Sequence, residues 1–252
     1  MPRALVIIPT YNEAENIAEI IDCIMQLPVQ FDVLVVDDNS PDSTADLVRQ
    51  QQQKYPARLF LEERSGKLGL GTAYILGFKW AIYKQYDLVF EMDADFSHNP
   101  EDLVKLYQAC AEGGYDMAIG SRYVKGVNVV NWPIERVLIS YFASYYVRLV
   151  TGMPFRDATA GFKCYKRKVL ETIDLDEIDF VGYAFQIEMK FLAWKFGFNI
   201  VEVPIIFTDR TKGKSKMSSG IFKEALLGVI QIKLNSLFRR FIPEDKVEEQ
   251  AI

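Results

Sequence analysis

The sequence predicts an α/β protein with a mostly parallel central sheet flanked by helices. Over the first 120 residues, short apolar segments that suit buried strands alternate with helical segments of ten or more residues, which is the pattern of successive βαβ units. Several strand segments are apolar throughout, as in strands covered on both faces. With 252 residues, of which 50% are hydrophobic, the chain is expected to form one large domain, or one domain with an appendage.

The alternation can be followed along the chain. Strands are predicted at 4–9, 31–36, 58–61, 88–92, 117–120 and 200–207. Helices are predicted after a capping box formed by Asn12 and Glu15, then from Ser43 to Gln53, and at 70–83, 102–111, 135–150, 184–196 and 221–241. The predicted units are a catalytic domain at 1–220, an amphipathic helix at 221–242 and an acidic tail at 243–252.

Composition excludes some classes of protein. A net charge of −5 argues against a general nucleic-acid binder. The longest uncharged runs are too short to span a bilayer, and the first residues lead straight into a strand without the pattern of a signal peptide. The three cysteines lack metal-ligand spacing and are predicted to be core residues in a reducing compartment: Cys23, Cys110 and Cys164.

Two carboxylates follow the fourth predicted strand with one residue between them. Side chains alternate faces in extended chain, so Asp93 and Asp95 are expected on the same side of the strand end. Paired carboxylate oxygens suit a hard divalent cation that bridges to substrate phosphates, and ligands bind at the carboxyl ends of strands in open α/β sheets. The competing interpretation is a solvated turn, with Asn99 and Pro100 starting the next helix.

Residues at two other strand ends point to the same crevice. Tyr11 and Glu13 follow the first strand and Asp38 follows the second. Together with Asp93 they would place an aromatic ring and three acids around one site. A ring can stack on a base, and an acid can accept hydrogen bonds from ribose hydroxyls. Turn chemistry at both places is the alternative.

Two further features are interpreted as structural. The glycine-rich turn at 66–71 lacks the third glycine and the following acid of a dinucleotide fingerprint, so NAD binding is not expected, although a helix N-terminus attracts phosphate. His98, the single histidine, is predicted to be a surface turn residue, with metal or phosphate contact as the alternative. The sequence offers no Ser–His or Cys–His pair with a credible partner, which argues against a nucleophilic triad.

Taken together, these segments resemble the inverting GT-A glycosyltransferases, and among them the polyprenol-phosphate (dolichol-phosphate) mannose synthases. The resemblance rests on seven short motifs in the family's order, which cover residues 5 to about 217. They are VIIPTYNE (6–13), VVDDNSPD (35–42), KLGLGTAY (67–74), MDAD (92–95), IGSRY (119–123), NWP (131–133) and RTKGKSK (210–216).

Carried over position by position, the resemblance implies a set of site residues. The implied nucleotide site consists of Pro9, Tyr11, Glu13, Val36, Asp38, Asp93 and Ala94. The implied divalent metal, Mg²⁺ or Mn²⁺, lies at Asp95 with Asp93. Contacts to donor phosphate or acceptor are implied for Arg122, Arg136, Arg210 and Lys216. Some members have glutamine two residues after the second aspartate. This chain has Ser97 there, a weaker ligand, so water is expected to complete the metal shell.

The resemblance implies inverting transfer of mannose from GDP-mannose to a polyprenyl phosphate. The enzyme would be peripheral on the cytoplasmic face of a membrane, like the short, single-domain members, with a separate membrane subunit as a candidate partner. Alternatives are UDP-glucose or another nucleotide sugar as donor, a non-catalytic nucleotide-sugar-binding module, and a nucleotidyltransferase. The Asp93 and Asp95 pair and the basic segment argue against the module. A nucleotidyltransferase would usually need a Gly/Lys/Arg-rich loop after the first strand. This chain has Tyr-Asn-Glu at 11–13 there, which argues against that class.

Three assignments each have two interpretations. The basic segment 210–216 is either a solvated loop or a lid that closes over phosphates. The amphipathic helix either lies among anionic headgroups or packs on the sheet, and the helix at 135–150 offers a second apolar surface. Asp157 is the one acid that some relatives would nominate as a general base, whereas orienting an arginine or capping the local turn is the alternative.

Overall fold

The computed structural model, which describes residues 1–210, 219–239 and 241, has the α/β architecture that the sequence predicts. The strands are β1 (Ala4–Thr10), β2 (Phe31–Asp37), β3 (Leu59–Glu63), β4 (Leu88–Glu91), β5 (Met117–Ser121), β6 (Val129–Val130), β7 (Lys163–Lys166), β8 (Ile200–Pro204) and β9 (Phe207–Thr208). The helices are α1 (Ile17–Met25), α2 (Thr44–Lys54), α3 (Leu70–Tyr83), α4 (Asp102–Ala111), α5 (Ile134–Thr151), α6 (Arg167–Thr172), α7 (Tyr183–Lys195) and α8 (Ser219–Phe238).

Seven strands form one sheet in the order β3-β2-β1-β4-β7-β5-β8. They run parallel except β7, which is antiparallel to both of its neighbours, β4 and β5. β6 and β9 form a separate parallel pair. The strand order reverses at β1, which has β2 on one side and β4 on the other. In open α/β sheets, the crevice beyond the carboxyl ends at such a point is the usual ligand site.

Two hydrophobic layers, one on each face of the sheet, explain why the strand segments are apolar throughout. Along β1, Leu5 and Ile7 point into one layer and Val6 and Ile8 into the other, and all four are fully buried. Residues of α3 and α7 complete the first layer, and residues of α1 and α4 complete the second. The sheet is therefore fixed between helices, and its carboxyl-end loops carry the polar side chains.

The first helix begins later than the sequence predicts. α1 starts at Ile17 after Asn16, and the carbonyl oxygen of Glu13 accepts the N–H groups of both residues. The predicted capping box of Asn12 and Glu15 is therefore wrong. Asn12 instead has a φ of 57°, a left-handed conformation that asparagine tolerates well. The residues after β1 consequently form a turn at the sheet edge rather than a helical turn.

The region after β5 differs most from the prediction. The single strand predicted at 200–207 is divided into β8 and β9. β7 was not predicted, because its sequence, Lys-Cys-Tyr-Lys, has a basic residue at each end.

Cys110 and Cys164 are buried as predicted, whereas Cys23 is exposed, so its assignment to the core is wrong.

The last described helix, α8, is shorter than the predicted segment at 221–241. Its inner face belongs to the core, since Val229 and Ile232 are buried against the α3 and α7 layer. The predicted acidic tail at 243–252 lies outside the described residues. In the part of the chain that the structure describes, none of the helices combines the length and apolarity needed to cross a membrane.

Candidate active site

A cavity of about 610 Å³ opens beyond the carboxyl ends of β4 and β5. One end is charged and is lined by Asp93, Asp95, Arg122, Arg136 and Arg210. The other end is apolar and is lined by Leu138, Ile139, Phe142, Ala143, Tyr146 and Val147 of α5 and by Leu226 and Val229 of α8. The cavity thus joins a polar centre to an apolar channel between two helices.

The two carboxylates predicted after β4 lie together at the charged end. Asp95 is buried; its Oδ2 lies 2.8 Å from a terminal nitrogen of Arg210, and its Oδ1 accepts the N–H of Ser97 at 3.0 Å. Burial, and then the negative charge of Asp95, raise the pKa of Asp93 to about 7. The pair therefore resists full ionisation, even with Arg210 beside it.

These residues fit a divalent cation. A doubly positive ion between the carboxylates would remove the repulsion that raises the pKa of Asp93. Among the described residues there is no cluster of three or more His, Cys, Asp or Glu side chains that could enclose a metal. A site with two carboxylates and Ser97 leaves room for waters and substrate phosphates, which is how Mg²⁺ is usually held.

Arg122 and Asp157 form the second charged group of the cavity. Arg122 follows β5, and its guanidinium and backbone N–H all donate to the Asp157 carboxylate at 2.7–2.9 Å. Thr159 accepts a further bond from Nη2 of Arg122 at 2.9 Å. Burial acts to raise the pKa of Asp157, but the charge and hydrogen bonds of Arg122 hold it below its ordinary value. The geometry supports Asp157 as the group that orients the arginine.

Arg136 and Arg210 meet at one carboxylate beyond β9. Asp209 accepts a bond from Nη1 of Arg136 at 2.8 Å and the backbone N–H of Arg210 at 3.1 Å. The Arg136 guanidinium also lies 4.1 Å from the centre of the Trp132 ring, a cation–π contact. Three of the four predicted basic contacts are therefore in the cavity, and Lys216, with the rest of the basic segment after Arg210, lies outside the described residues.

Among the predicted nucleotide contacts, Asp38 is fixed by an arginine that the sequence analysis did not single out. Arg64 lies just after β3 and pairs with the carboxylate of Asp38. It also donates to Thr72 at 2.6 Å and to the carbonyl of Gly69 at 3.1 Å. Burial raises the pKa of Asp38, although Arg64 opposes that shift. Arg64 therefore connects the end of β2 to the start of α3.

Tyr11 and Glu13 lie on the turn after β1. The ammonium of Lys67 is 5.1 Å from the centre of the Tyr11 ring, and the carboxylate of Glu13 accepts a bond from Asn16 at 3.2 Å. The remaining predicted nucleotide contacts are Pro9, half-buried in β1, and Val36 and Ala94, whose side chains are buried in the core. Val36 and Ala94 therefore offer only backbone groups to a ligand.

The glycine-rich turn before α3 is shaped by the loop before α7. The N–H of Gly71 donates to the Val181 carbonyl at 2.8 Å. A Cβ atom on Gly71 would lie 2.9 Å from the Phe180 carbonyl oxygen, too close for any residue but glycine. Close backbone approach therefore explains this glycine.

The same loop contacts α8 on its other side. A Cβ atom on Gly228 would lie 2.8 Å from the Phe180 ring, so the ring packs directly on the helix backbone. Asn235 of α8 donates to Asp179 at 2.8 Å. The loop at 179–182 is thus wedged between the turn before α3 and the helix α8.

Comparison with known proteins identifies the family. Residues 5–174 match the model of Glycosyl transferase family 2. This chain belongs to that family. It is 46% identical over 229 residues to a polyprenol monophosphomannose synthase of Mycolicibacterium smegmatis, covering 91% of this chain and 86% of the relative. It is 45% identical over 227 residues to an undecaprenyl-phosphate mannosyltransferase of Micrococcus luteus, covering 90% and 92%.

Solved structures show the same fold at low sequence identity. A glucosyl-3-phosphoglycerate synthase from Mycobacterium tuberculosis, in complex with Mn²⁺, UDP and phosphoglyceric acid, aligns with a TM-score of 0.69 and 16% identity over 96% of this chain and 80% of that chain. A mannosyltransferase from Pyrobaculum calidifontis, in complex with GDP-Man and Mn²⁺, aligns with a TM-score of 0.57 and 19% identity over 92% and 70%. The predicted resemblance and the GT-A fold are thereby confirmed.

In this family 2 glycosyltransferase, His98 is not the surface residue that its turn sequence predicts. It is buried, stacks on Phe162 at 4.8 Å between ring centres and meets the edge of Phe207 at 5.2 Å. Burial lowers the pKa of His98 to about 4, against the opposing charge of Asp95. His98 is therefore neutral at pH 7 and supports the floor of the cavity.

The apolar end of the glycosyltransferase cavity continues onto the surface. Phe142 and Leu149 of α5 are 61% and 72% exposed, and Phe238 of α8 is 90% exposed. Further exposed apolar side chains on these two helices are Ile134, Leu138, Ile139, Tyr141, Tyr145, Leu227, Ile230, Leu234 and Leu237. The α5/α8 face, defined by these residues, is larger than the scattered exposed side chains that are normal for a soluble surface.

The interpretation that the C-terminal helix packs on the protein is met in part, and the interpretation that it lies among headgroups stays a prediction. Its inner side chains pack on the core, and its outer ones are exposed. Among the basic residues of the predicted helix at 221–241, Lys233 donates to the Thr151 carbonyl at 3.3 Å and Arg239 pairs with Glu177 at 3.2 Å. The side chains of Lys223 and Arg240 lie outside the description.

Proposed function

We propose that this protein transfers mannose from GDP-mannose to a polyprenyl phosphate, with inversion, at a membrane surface. The observation that carries the proposal is the single cavity that joins a carboxylate pair and three arginines to an apolar channel between α5 and α8. A nucleotide diphosphate and a lipid phosphate need the charged end, and a polyprenyl chain needs the apolar end. The names of the two curated relatives, a polyprenol monophosphomannose synthase and an undecaprenyl-phosphate mannosyltransferase, support this assignment.

The donor is proposed by analogy. One structural neighbour is a mannosyltransferase that binds GDP-Man, although its likeness to this chain shows the fold alone. In this protein, we propose that Tyr11 stacks on the base and that Glu13 and Asp38 accept hydrogen bonds from the ribose or base. Arg64 keeps Asp38 in place.

Asp93 and Asp95, with Ser97, would hold Mg²⁺ or Mn²⁺, and both ions occur in the related structures. A bound divalent ion supplies charge stabilisation to the departing diphosphate. Arg210, which lies 2.8 Å from Asp95, stands at the same place and can contact the phosphates as their charge grows.

The chemistry requires no general base. A phosphate monoester has a second pKa near 6, so its oxygen is already ionised at neutral pH. Direct attack on the anomeric carbon displaces the nucleotide from the opposite face, which inverts the configuration. The protein then needs to supply alignment and positive charge. Arg122 and Arg136 provide both at the charged end of the cavity, and Asp157 is already committed to Arg122.

The lipid side of the proposal rests on the α5/α8 face. Its exposed apolar side chains lie beside the apolar end of the cavity. A helix pair that dips this face into the headgroup region would let a polyprenyl chain pass from the bilayer into the channel. We therefore propose peripheral attachment on the cytoplasmic face of a membrane, in line with buried free thiols at Cys110 and Cys164.

The proposal is tested by lipid extraction after a transfer reaction. The protein is incubated with Mg²⁺ and either radiolabelled GDP-mannose or radiolabelled UDP-glucose, and with polyprenyl phosphate or, as the matched control, polyprenol without phosphate. We expect labelled lipid only from GDP-mannose with polyprenyl phosphate. Labelled lipid from UDP-glucose but not from GDP-mannose would overturn the assignment of the donor. Transfer to free polyprenol would overturn the assignment of the acceptor. No transfer from any nucleotide sugar that the protein binds would indicate a non-catalytic module.

A further inference from the structure

A chain of buried polar side chains lies under the floor of the cavity. Lys163 of β7 has no exposed surface, and its ammonium is 3.2 Å from the Glu91 carboxylate at the end of β4. The same ammonium donates to the side-chain oxygen of Gln186 in the first turn of α7. The other donor to Glu91 is the Tyr165 hydroxyl at 2.8 Å. Side chains from β4 and α7 therefore meet at this lysine of β7.

The lysine determines which way the Gln186 amide faces. An ammonium can only donate, so the amide atom next to Lys163 must be the oxygen. The NH₂ group of Gln186 therefore points the other way, toward Gly161, where an added Cβ atom would lie 3.7 Å from Nε2. Gln186 and Gly161 both line the cavity, although Gln186 is only 3% exposed. A buried amide is thus aimed into the cavity as a hydrogen-bond donor.

The donor group belongs to the cavity that holds both charged parts of the site. Asp93 and Arg122 line this cavity together with Gln186 and Gly161, and Thr159, which accepts a bond from Arg122, lines it as well. Under the proposed function, the transferred sugar occupies the same cavity, between the leaving diphosphate and the attacking phosphate. The charged donors of the cavity suit phosphate oxygens, whereas a neutral amide suits a neutral hydroxyl.

We propose that Gln186 donates a hydrogen bond from Nε2 to a hydroxyl oxygen of the donor sugar, and that Lys163 is the positioning residue that fixes the amide. The inference rests on the proposed function, because it assumes that a nucleotide sugar fills the cavity. A site built to hydrogen-bond one hydroxyl rejects the sugar that lacks it, since the buried donor is then left without a partner. Gln186 is therefore a determinant of sugar specificity.

The test compares Gln186→Met with the wild type on GDP-mannose and on GDP-mannose analogues that each lack one hydroxyl. The wild type is expected to lose about tenfold to a hundredfold in kcat/KM on one deoxy donor. Gln186→Met should lose a similar factor on GDP-mannose itself and show no further loss on that one analogue. Its affinity for GDP, which lacks the mannosyl group, should stay within about twofold. Gln186→Asn, which withdraws the amide from the cavity, is the second variant, and Gln53→Met, at an exposed position of α2, is the matched control.

Other outcomes would overturn the inference. If both Gln186 variants lose GDP affinity as much as they lose transfer, Gln186 has only a structural role. If each variant loses the same factor in kcat/KM as the wild type on every deoxy donor, Gln186 contacts no sugar hydroxyl. Lys163→Met should abolish the same discrimination while GDP affinity remains, and retained discrimination would remove its positioning role. A wild type that transfers a different sugar overturns the donor assignment alone, and deoxy forms of that sugar then decide the role of Gln186.

Discussion

Arg122 and Asp157 form a two-point ion pair inside the protein, with Nε 2.8 Å from Oδ2 and Nη2 2.7 Å from Oδ1. Asp157 has no exposed surface, and its pKa is low because the neighbouring guanidinium outweighs the effect of burial. A carboxylate held in this way is a poor proton acceptor and is turned away from any ligand. We propose that it aligns Arg122 with the cavity.

Asp157→Asn therefore tests the base-free mechanism. We expect a drop in kcat/KM of about tenfold to a hundredfold, because an amide cannot hold the guanidinium at two points. Above pH 6 the drop should be uniform, since ionisation of the acceptor phosphate sets the profile in both proteins. The measurement is the pH–rate profile from pH 6 to 9. Arg122→Lys should lower the rate by a similar factor, and the two losses should not add. A mutant rate that climbs steeply with pH would show that Asp157 takes a proton.

Asp95→Asn tests the metal site. Loss of one ligand should reduce transfer by about a thousandfold or more, since charge stabilisation by a metal contributes several kcal/mol. EDTA should abolish wild-type transfer, and Mg²⁺ or Mn²⁺ should restore it. The thermal midpoint of the variant should remain close to that of the wild type. Asp46→Asn on the exposed face of α2 is the control. Full activity of Asp95→Asn would remove the metal role from this residue.

Arg64→Lys tests the nucleotide side of the site. Lysine keeps the charge but cannot reach Asp38, Thr72 and the Gly69 carbonyl together, as the planar guanidinium does. We expect GDP affinity to fall by about tenfold, measured by titration calorimetry. Arg49→Lys, on a partly exposed pair of α2, should leave it unchanged. Equal GDP affinity in Arg64→Lys and the wild type would show that Asp38 is not fixed through Arg64.

Glu188→Gln should change how stability depends on pH. The Glu188 carboxylate accepts the N–H groups of Asp179 and Phe180 at 3.3 and 3.2 Å, but burial raises the pKa of Glu188 to about 7. In the unfolded state the pKa of a glutamate is about 4.3. Between about pH 4.3 and pH 7, the folded state therefore binds more protons than the unfolded state. Stability should fall as pH rises through that window, by an amount on the order of 4 kcal/mol.

In Glu188→Gln this contribution is absent, so the variant should lose less stability than the wild type between pH 4.5 and 7.5. Urea unfolding at several pH values measures the difference. Parallel curves for the two proteins would show that Glu188 has the same pKa in the folded and unfolded states.

The α5/α8 face should control membrane attachment. Leu149→Ser and Phe238→Ser each remove one exposed apolar side chain, which would otherwise be buried in lipid and contribute about 1–2 kcal/mol. Binding to phosphatidylglycerol-containing vesicles should weaken by about tenfold for each change, while the folded state keeps its stability. Tyr83→Ser, 80% exposed at the end of α3, is the control for general apolarity. Unchanged sedimentation with vesicles in the first two variants would exclude this face.

The sequence was sufficient to predict six of the seven strands of the main sheet and most of the acidic and basic side chains at its carboxyl ends. Apolar runs and helical spacing are local properties, and the residues after each strand are placed together by the parallel topology. His98 was mispredicted because its burial depends on Phe162 and Phe207, which come from distant segments. Asn12 was mispredicted because its short side chain permits a left-handed turn as readily as a cap.

Other features carry no local signal. Arg64 is a lone arginine after a strand, and its three partners are visible only once α3 packs beside β2 and β3. A lysine such as Lys163 would be expected in solvent from its residue type. It is fully buried because its ammonium contacts Glu91 and Gln186. Polar residues satisfied by distant partners are therefore the part of the site that pattern analysis does not reach.

Under the proposed function, the loop at 179–182 would link donor binding to membrane attachment. Its Val181 carbonyl accepts a hydrogen bond from Gly71 in the turn before α3, and its Phe180 ring packs on Gly228 of α8. A shift of the loop on nucleotide binding would be transmitted to α8, which carries part of the α5/α8 face. Because linkage is reciprocal, a lipid surface that favours one position of α8 would change the affinity for nucleotide by the same factor. Nucleotide affinities measured without lipid would then describe only the protein that is not bound to a membrane.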